Sequence, residues 1–197
     1  MKRRYELKKR AERQAQTRQR IVEAAVALHE ERGVARTTIT EIAERAGVQR
    51  LTVYNHFPDD DSLVAGCSGH WAELHPLPDS GAWAEVDGLE PRLRAALRGL
   101  YAYYAETEDM TANFLRDAPL VPAVADLLDR TWHPYFREAR DVVAGAVRPR
   151  RPRRRLLGAI ALALDFNTWR TLVRGGGLTM DEAIDVAVAP ALAAAAP

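Results

Sequence analysis

Apolar residues along this chain recur at spacings of three and four, and nowhere do they alternate with polar residues long enough for a half-buried strand. The expected fold is therefore all-α, with about nine helices. A first helix is expected from about Thr17, or from as early as Leu7, to Arg32, with Ile21, Ala24, Ala25 and Leu28 on one face and Gly33 ending it. Thr38 and Glu41 have capping-box spacing ahead of Ile39, Ile42, Ala43 and Ala46, which predicts a short second helix closed by Gly47. A third runs from about Gln49 to Phe57, where Pro58 stops it. Asp59 can cap a fourth, ending near Leu74 before a long loop from His75 to about Gly88.

The fifth helix, about Glu90 to Thr107, aligns Leu93, Ala96, Leu97, Leu100, Tyr101 and Tyr104 as a core stripe. A short piece from Met110 to Asp117 follows, then a longer helix from about Leu120 to Val147 that is bent or interrupted before Pro134. The Arg- and Pro-rich segment Arg148–Arg155 separates this body from two closing helices, about 153–174 and 180–195, with three glycines between them and a second capping box at Thr179 and Glu182. The stripe Met180, Ala183, Ile184, Ala187, Val188, Ala191 and Leu192 is expected to pair two copies of the chain, ordinary internal core being the alternative.

Charge divides the chain more sharply than its net +1 suggests. Residues 1–57 carry a net +6 and the remainder a net −5. A basic front joined to a mildly acidic body suits a nucleic-acid-binding module carried by a domain with another task. Leu156–Leu164, the longest apolar run, is far short of the ~20 residues a membrane span needs, so no membrane association is expected. The basic N-terminus leads into no apolar signal segment, and one cysteine cannot form an internal disulfide. Both features suit a cytoplasmic protein.

Within residues 38–57, Val48, Val53 and Phe57 are the expected inward anchors, leaving Arg50, Leu51, Thr52, Tyr54, Asn55 and His56 outside. An α-helix fits the major groove, where Arg pairs with guanine, Asn with adenine, and an apolar side chain meets the thymine methyl. Thr38, at a helix N-terminus with free N–H groups, suits a phosphate.

The run from Arg20 to Phe57 resembles the DNA-binding domain of the TetR family of bacterial regulators. The likeness is carried by Ile21-Val22-Glu23-Ala24-Ala25, Glu31-Arg32-Gly33, Thr37-Thr38-Ile39, the stretch Glu41 to Val48, and Val53 to Pro58. It implies a homodimeric repressor, its last two helices pairing in a four-helix bundle. It also implies release from a palindromic double-stranded operator by a small-molecule effector held in the body. Three features depart from the family pattern. Gln49 stands where many relatives have a capping Ser, Leu51 where many have Gly, and Asp59-Asp60-Asp61 where a Lys often grips phosphate.

On this reading residues 1–16 are a basic arm, 17–58 the helix-turn-helix module, and 59–197 the ligand-binding and dimerisation domain. The DNA-binding set is Thr38, Gln49, Arg50, Leu51, Thr52, Tyr54, Asn55 and His56, joined by Lys8, Lys9 and Arg10 of the arm, which is expected to be mobile or loosely helical to about Gln16. The effector set is Trp71, Tyr101, Tyr104, Asn113, Phe114, Trp132, Phe136, Asp165, Phe166 and Trp169, with Asp165 as a buried carboxylate in need of a partner such as Arg170 or a cationic ligand. No catalytic residue, metal site or cofactor is expected. No phosphate loop or HExxH occurs; Cys67 and His70 with Glu73 or His75 offer metal-ligand types, but Cys67, His70, Trp71 and Leu74 share one side of the fourth helix and read as a packing face. An architectural, ligand-independent DNA binder is the alternative function.

Overall fold

The computed structural model describes residues 2–147 and 154–196. Most of the Arg- and Pro-rich separator, residues 148–153, lies outside the described residues. The helices are α1 (Lys2–Arg32), α2 (Ile39–Ala46), α3 (Arg50–His56), α4 (Asp60–Leu74), α5 (Leu89–Glu106), α6 (Glu108–Asp117), α7 (Pro122–Arg130), α8 (Trp132–Ala144), α9 (Arg154–Leu164), α10 (Phe166–Arg170) and α11 (Met180–Ala195). Among the described residues there is no strand. The chain forms two compact units, one of residues 1–76 and 109–128, the other of 77–108 and 129–197.

In the first unit, Ile21, Val22, Ala25 and Leu28 of α1 pack with Ile42, Ala43, Val53, Phe57, Leu63, Cys67 and Met110 in one apolar cluster. The sequence division at residue 58 runs through this cluster. Burial pushes the Cys67 thiol up to about 12. α1 begins at Lys2, well before the Thr17 or Leu7 expected, and the expected loose arm is continuous helix. The apolar pattern registers only the half of α1 that packs. Residues 2–20 bury no described side chain, yet they contain no Gly or Pro and consist largely of Lys, Arg, Glu, Gln, Leu and Ala. Such residues extend a helix already nucleated by its packed end.

α1 stops at Gly33, whose φ of +92° is natural only for glycine and whose N–H reaches the His29 carbonyl at 2.8 Å. A Cβ there would collide with the Arg116 and Asp117 side chains of α6. Three α6 side chains close this turn. The Asn113 amide donates to the His29 and Glu30 carbonyls at 3.1 and 2.7 Å. Arg116 donates to the Arg32 carbonyl, to Asn113 and to Asp117. The Asp117 carboxylate, buried, accepts from the Ala35 N–H at 3.0 Å. Burial raises its affinity for a proton, but the Arg116 hydrogen bond and the backbone donors outweigh that and hold the carboxyl below its ordinary value.

In the second unit, Arg92 holds the chain before α5 onto α8, donating to the carbonyls of Val86, Ala84 and Val142 at 2.8, 2.8 and 3.0 Å. The loop expected from His75 to Gly88 contains a 3₁₀ turn, Gly81–Glu85, whose Trp83 is buried. The interruption expected before Pro134 falls at Thr131. Pro134 becomes the third residue of α8, where its missing N–H is one that no helix would use.

The first closing helix is broken where continuity was expected. α9 ends at Leu164, and the chain bends by 57° into α10 and a following π turn, Thr171–Gly175. Asp165 adopts extended backbone and caps α10, its carboxylate accepting from the Asn167 N–H at 2.8 Å. The break exposes the last carbonyls of α9, and two buried tyrosines of α5 take them. Tyr101 donates to Ala163 at 3.0 Å and Tyr104 to Leu164 at 2.6 Å. Burial raises both phenol pKa values well above the ordinary range, so both remain donors.

No single helix among the described residues is long and apolar enough to cross a membrane. The α9–α10 pair reaches that composition only when joined across its bend, and its Leu156, Ile160, Leu164, Phe166 and Trp169 are buried within the unit.

Two measurements test this packing. Tyr104→Phe leaves the buried Leu164 carbonyl without its donor and should cost ~1–3 kcal/mol in urea denaturation; an unchanged midpoint would mean that another donor replaces it. The buried His29 ring, whose Nδ1 has no partner among the described residues, is lowered by desolvation to about 4. Below the unfolded value near 6.5 the unfolded chain binds a proton that the folded chain refuses, so stability is lost as pH falls from about 6.5 through about 4. The full difference is about 3 kcal/mol. His29→Leu should lack this component, and parallel pH curves for the two proteins would rule it out.

Candidate nucleic-acid interface

α2 and α3 are joined by a three-residue turn pivoting on Gly47, which sits in the left-handed region at φ +65° and ends α2. Val48 then packs against the apolar cluster, while Val53 and Phe57 sink into it, so the inner face of α3 is fixed by the expected three residues. The outer face carries Arg50, Tyr54 and Asn55, with Leu51 68 % exposed, and with Thr52 and His56 half-buried at its edge. These side chains present guanidinium, phenol, amide and aliphatic groups along one short helix, which suits contact with base edges and phosphates.

α2 carries a full capping box. The Thr38 hydroxyl accepts from the Glu41 N–H at 3.3 Å and donates to the Glu41 carboxylate at 2.8 Å, which also receives the Thr38 N–H and, at 2.6 Å, Arg32. The Thr38 backbone and hydroxyl bonds, with Arg32, hold the Glu41 carboxyl below its usual value despite some desolvation. Thr38 thus stands exposed at the helix end, with its hydroxyl engaged by a carboxylate. Gln49 precedes α3 in extended backbone and makes no side-chain capping bond. Asp59 caps α4 through Ser62, followed by Asp60 and Asp61 in the first turn, which places the acidic triplet at the positive end of that helix.

The wall beside α3 is α1. Arg18 lies over the Phe57 ring with its guanidinium carbon 4.6 Å from the centroid. Gly66 of α4 makes room for both, since a Cβ there would meet the Phe57 ring at 2.9 Å and Arg18 at 3.2 Å. Gln14, Ala15 and Arg18 of α1 face Thr52, Asn55 and His56 across a groove of about 440 Å³. Gln14 and Arg18 carry no signal in a recognition-helix pattern, and only their spacing of four residues hints at a shared face. Lys8, Lys9 and Arg10 are exposed on the projecting part of α1.

The residues expected around an effector divide between the two units. In the first, Asn113 spends its amide on the end of α1, Phe114 packs against the apolar clusters, and Trp71 lies against His75, the rings tilted by 31° with centroids 4.1 Å apart. Asn113 is therefore a structural donor rather than an unpaired polar group. Cys67 is buried while His70 lies near the Gln19 amide, and no three His, Cys, Asp or Glu among the described residues are placed to hold a metal.

In the second unit, Tyr104 is the centre of an aromatic cluster with Trp132, Phe136, Phe166 and Trp169, all within 6.5 Å between ring centroids. Tyr101 and Tyr104 have committed their hydroxyls to α9. Asp165 is exposed rather than buried, because it caps a helix instead of lying within one. Trp132 and Phe136 are half-buried, and the buried Trp169 Nε1 has no partner among the described residues.

Residues 21–67, from the packed half of α1 into α4, match the profile of the family described as bacterial regulatory proteins, tetR family. The chain carries the tetR-family N-terminal domain. Over 76 residues the chain is 43 % identical to the HTH-type transcriptional regulator TtgR of Pseudomonas putida, covering 38 % of this chain and 36 % of that protein. It is 42 % identical over 50 residues to the HTH-type transcriptional regulator AcrR of Shigella flexneri, covering 25 % of this chain and 23 % of that one.

The chain thus aligns with about a third or less of the length of these relatives. In fold the likeness is wider. A tetR-family transcriptional regulator from Streptomyces coelicolor matches 91 % of this chain and 82 % of its own at a TM-score of 0.62 and 19 % identity. A TetR transcription regulator from Haloarcula marismortui matches 92 % and 97 % at 0.61 and 20 %.

Proposed function

We propose that this protein is a sequence-specific DNA-binding transcriptional regulator, acting as a homodimer on a palindromic operator and released from it by a small-molecule effector. The observation that carries the reading is the outer face of α3. Arg50, Leu51, Tyr54 and Asn55 project from a helix that Val53 and Phe57 anchor and Gly47 aims. A helix so held can enter a major groove without rearranging its core.

Dimerisation is proposed through α9 and α11, but not through the stripe the sequence suggests. Ala183, Ile184, Ala187, Val188 and Ala191 are all buried within the subunit, where α11 packs on α9 and α5. The faces left to a second copy carry Leu162, 58 % exposed, and Val186, 50 % exposed. Solvent-facing aliphatic residues on two neighbouring helices suit a helix-pairing seam. For the effector, the half-buried Trp132 and Phe136 offer an apolar surface and the unpartnered Trp169 indole N–H a donor. A flat, largely apolar molecule with one acceptor fits that chemistry.

Selection from random duplexes should enrich a two-fold symmetric site. On that site Arg50→Ala or Asn55→Ala should lose ~1–3 kcal/mol and relax preference at one position. Binding without enrichment would indicate an architectural DNA binder instead.

Leu162→Glu combined with Val186→Glu should convert the dimer to a folded monomer in light scattering and weaken operator binding. Ile184→Asp should unfold the unit, because it charges the core. A wild-type monomer at micromolar concentration would exclude the dimer.

A further inference from the structure

We propose that the projecting half of α1 is a rigid extension of the DNA-binding surface, in which Arg10, Gln14 and Arg18 continue the face of α3 and receive the sugar–phosphate backbone along the groove between the two helices. This rests on the DNA-binding reading above and adds to it a track outside the helix-turn-helix. Arg10, Gln14 and Arg18 follow one another at four-residue intervals, so they share one side of a continuous helix. Gln14 and Arg18 line the groove whose other wall is Thr52, Asn55 and His56 of the recognition helix. All five groove-lining polar side chains can donate a hydrogen bond, and none is an acid. Glu12 is turned to another side and paired with Lys8 at 3.9 Å.

The electrostatics of α1 favour the same partner. Residues 2–20 hold nine basic side chains and two acidic ones, and the first turn contains no acid. Like charges so dense along one helix repel one another, and a polyanion relieves that repulsion. Because the segment is helix and not a loose tail, its reach is fixed. The contact must fall on phosphates that lie along the α1 axis, and residues on its other faces should contribute little. Lys9, Arg13, Gln16 and Arg20 form such another face, three of them lining a separate hollow with Thr17 and Gln19.

The test compares one chemical change on two faces of the same helix. Gln14→Glu puts a carboxylate in the groove, whereas Gln16→Glu puts one on the other face; helicity of both is checked by circular dichroism. Binding of the full-length proteins to a long random-sequence duplex is followed over a range of salt. Gln14→Glu should weaken binding about tenfold and lower the magnitude of the log–log salt slope by ~1, while Gln16→Glu changes either quantity little. Ala11→Pro, which keeps every charge but interrupts the rod, should also flatten the slope. Equal losses from the two glutamates would show only a diffuse field of charge, and no loss from Gln14→Glu would show that the groove is not occupied; either overturns the track. Failure of the unaltered chain to bind any duplex would overturn the DNA-binding reading and the track with it.

Discussion

The carbonyls at the end of α1 need donors, and the place where they find them governs the first unit. A helix leaves its last carbonyls unpaired, and a buried end without partners is costly. Here α6 supplies what the chain beyond Gly33 cannot: the Asn113 amide to His29 and Glu30, and the Arg116 guanidinium to Arg32. The same α6 residues accept the Ala35 N–H through Asp117, so they also fix the backbone that leads into Thr38 and α2. The orientation of the helix-turn-helix therefore depends on three polar side chains some eighty residues later in the chain. Gly33 is required because they come so close.

The second unit solves the same problem differently. The break at Asp165 gives α10 a cap from its own sequence but leaves α9 without one, and the tyrosines of α5 close the gap. Each phenol serves two ends at once, its ring joining the aromatic cluster and its hydroxyl replacing a missing helix turn. A position that looks like a polar handle in an apolar setting is in this case a helix cap supplied from sixty residues away.

What could be read from the sequence follows the range of the forces involved. Thr38, Asp59 and Thr179 were legible as caps because each bonds three residues ahead, and Gly47 and Gly33 because a left-handed turn has few alternatives. The α11 stripe was visible as a stripe, but periodicity states only that a face is buried and not whether the covering helix belongs to the same chain. The capping role of Asp165 is not legible because apolar residues flank it on both sides as in an unbroken helix, and that of Asn113 because its partners lie in α1. The length of α1 was underestimated for the opposite reason, since a helix that buries nothing has no apolar pattern to report. Of the surface proposed to face DNA, the outer side of α3 is legible in residue types and the groove beside it is not, because Gln14 and Arg18 acquire meaning only when α1 is seen to continue past them.

Cys67, the sole cysteine, lies in the core with its thiol held protonated well above neutral pH. A reagent that attacks thiolates will pass over it in the folded protein. Any cysteine introduced on the surface then becomes the single labelled position, so distances and motions between chosen helices can be followed spectroscopically without first removing a native residue from the core.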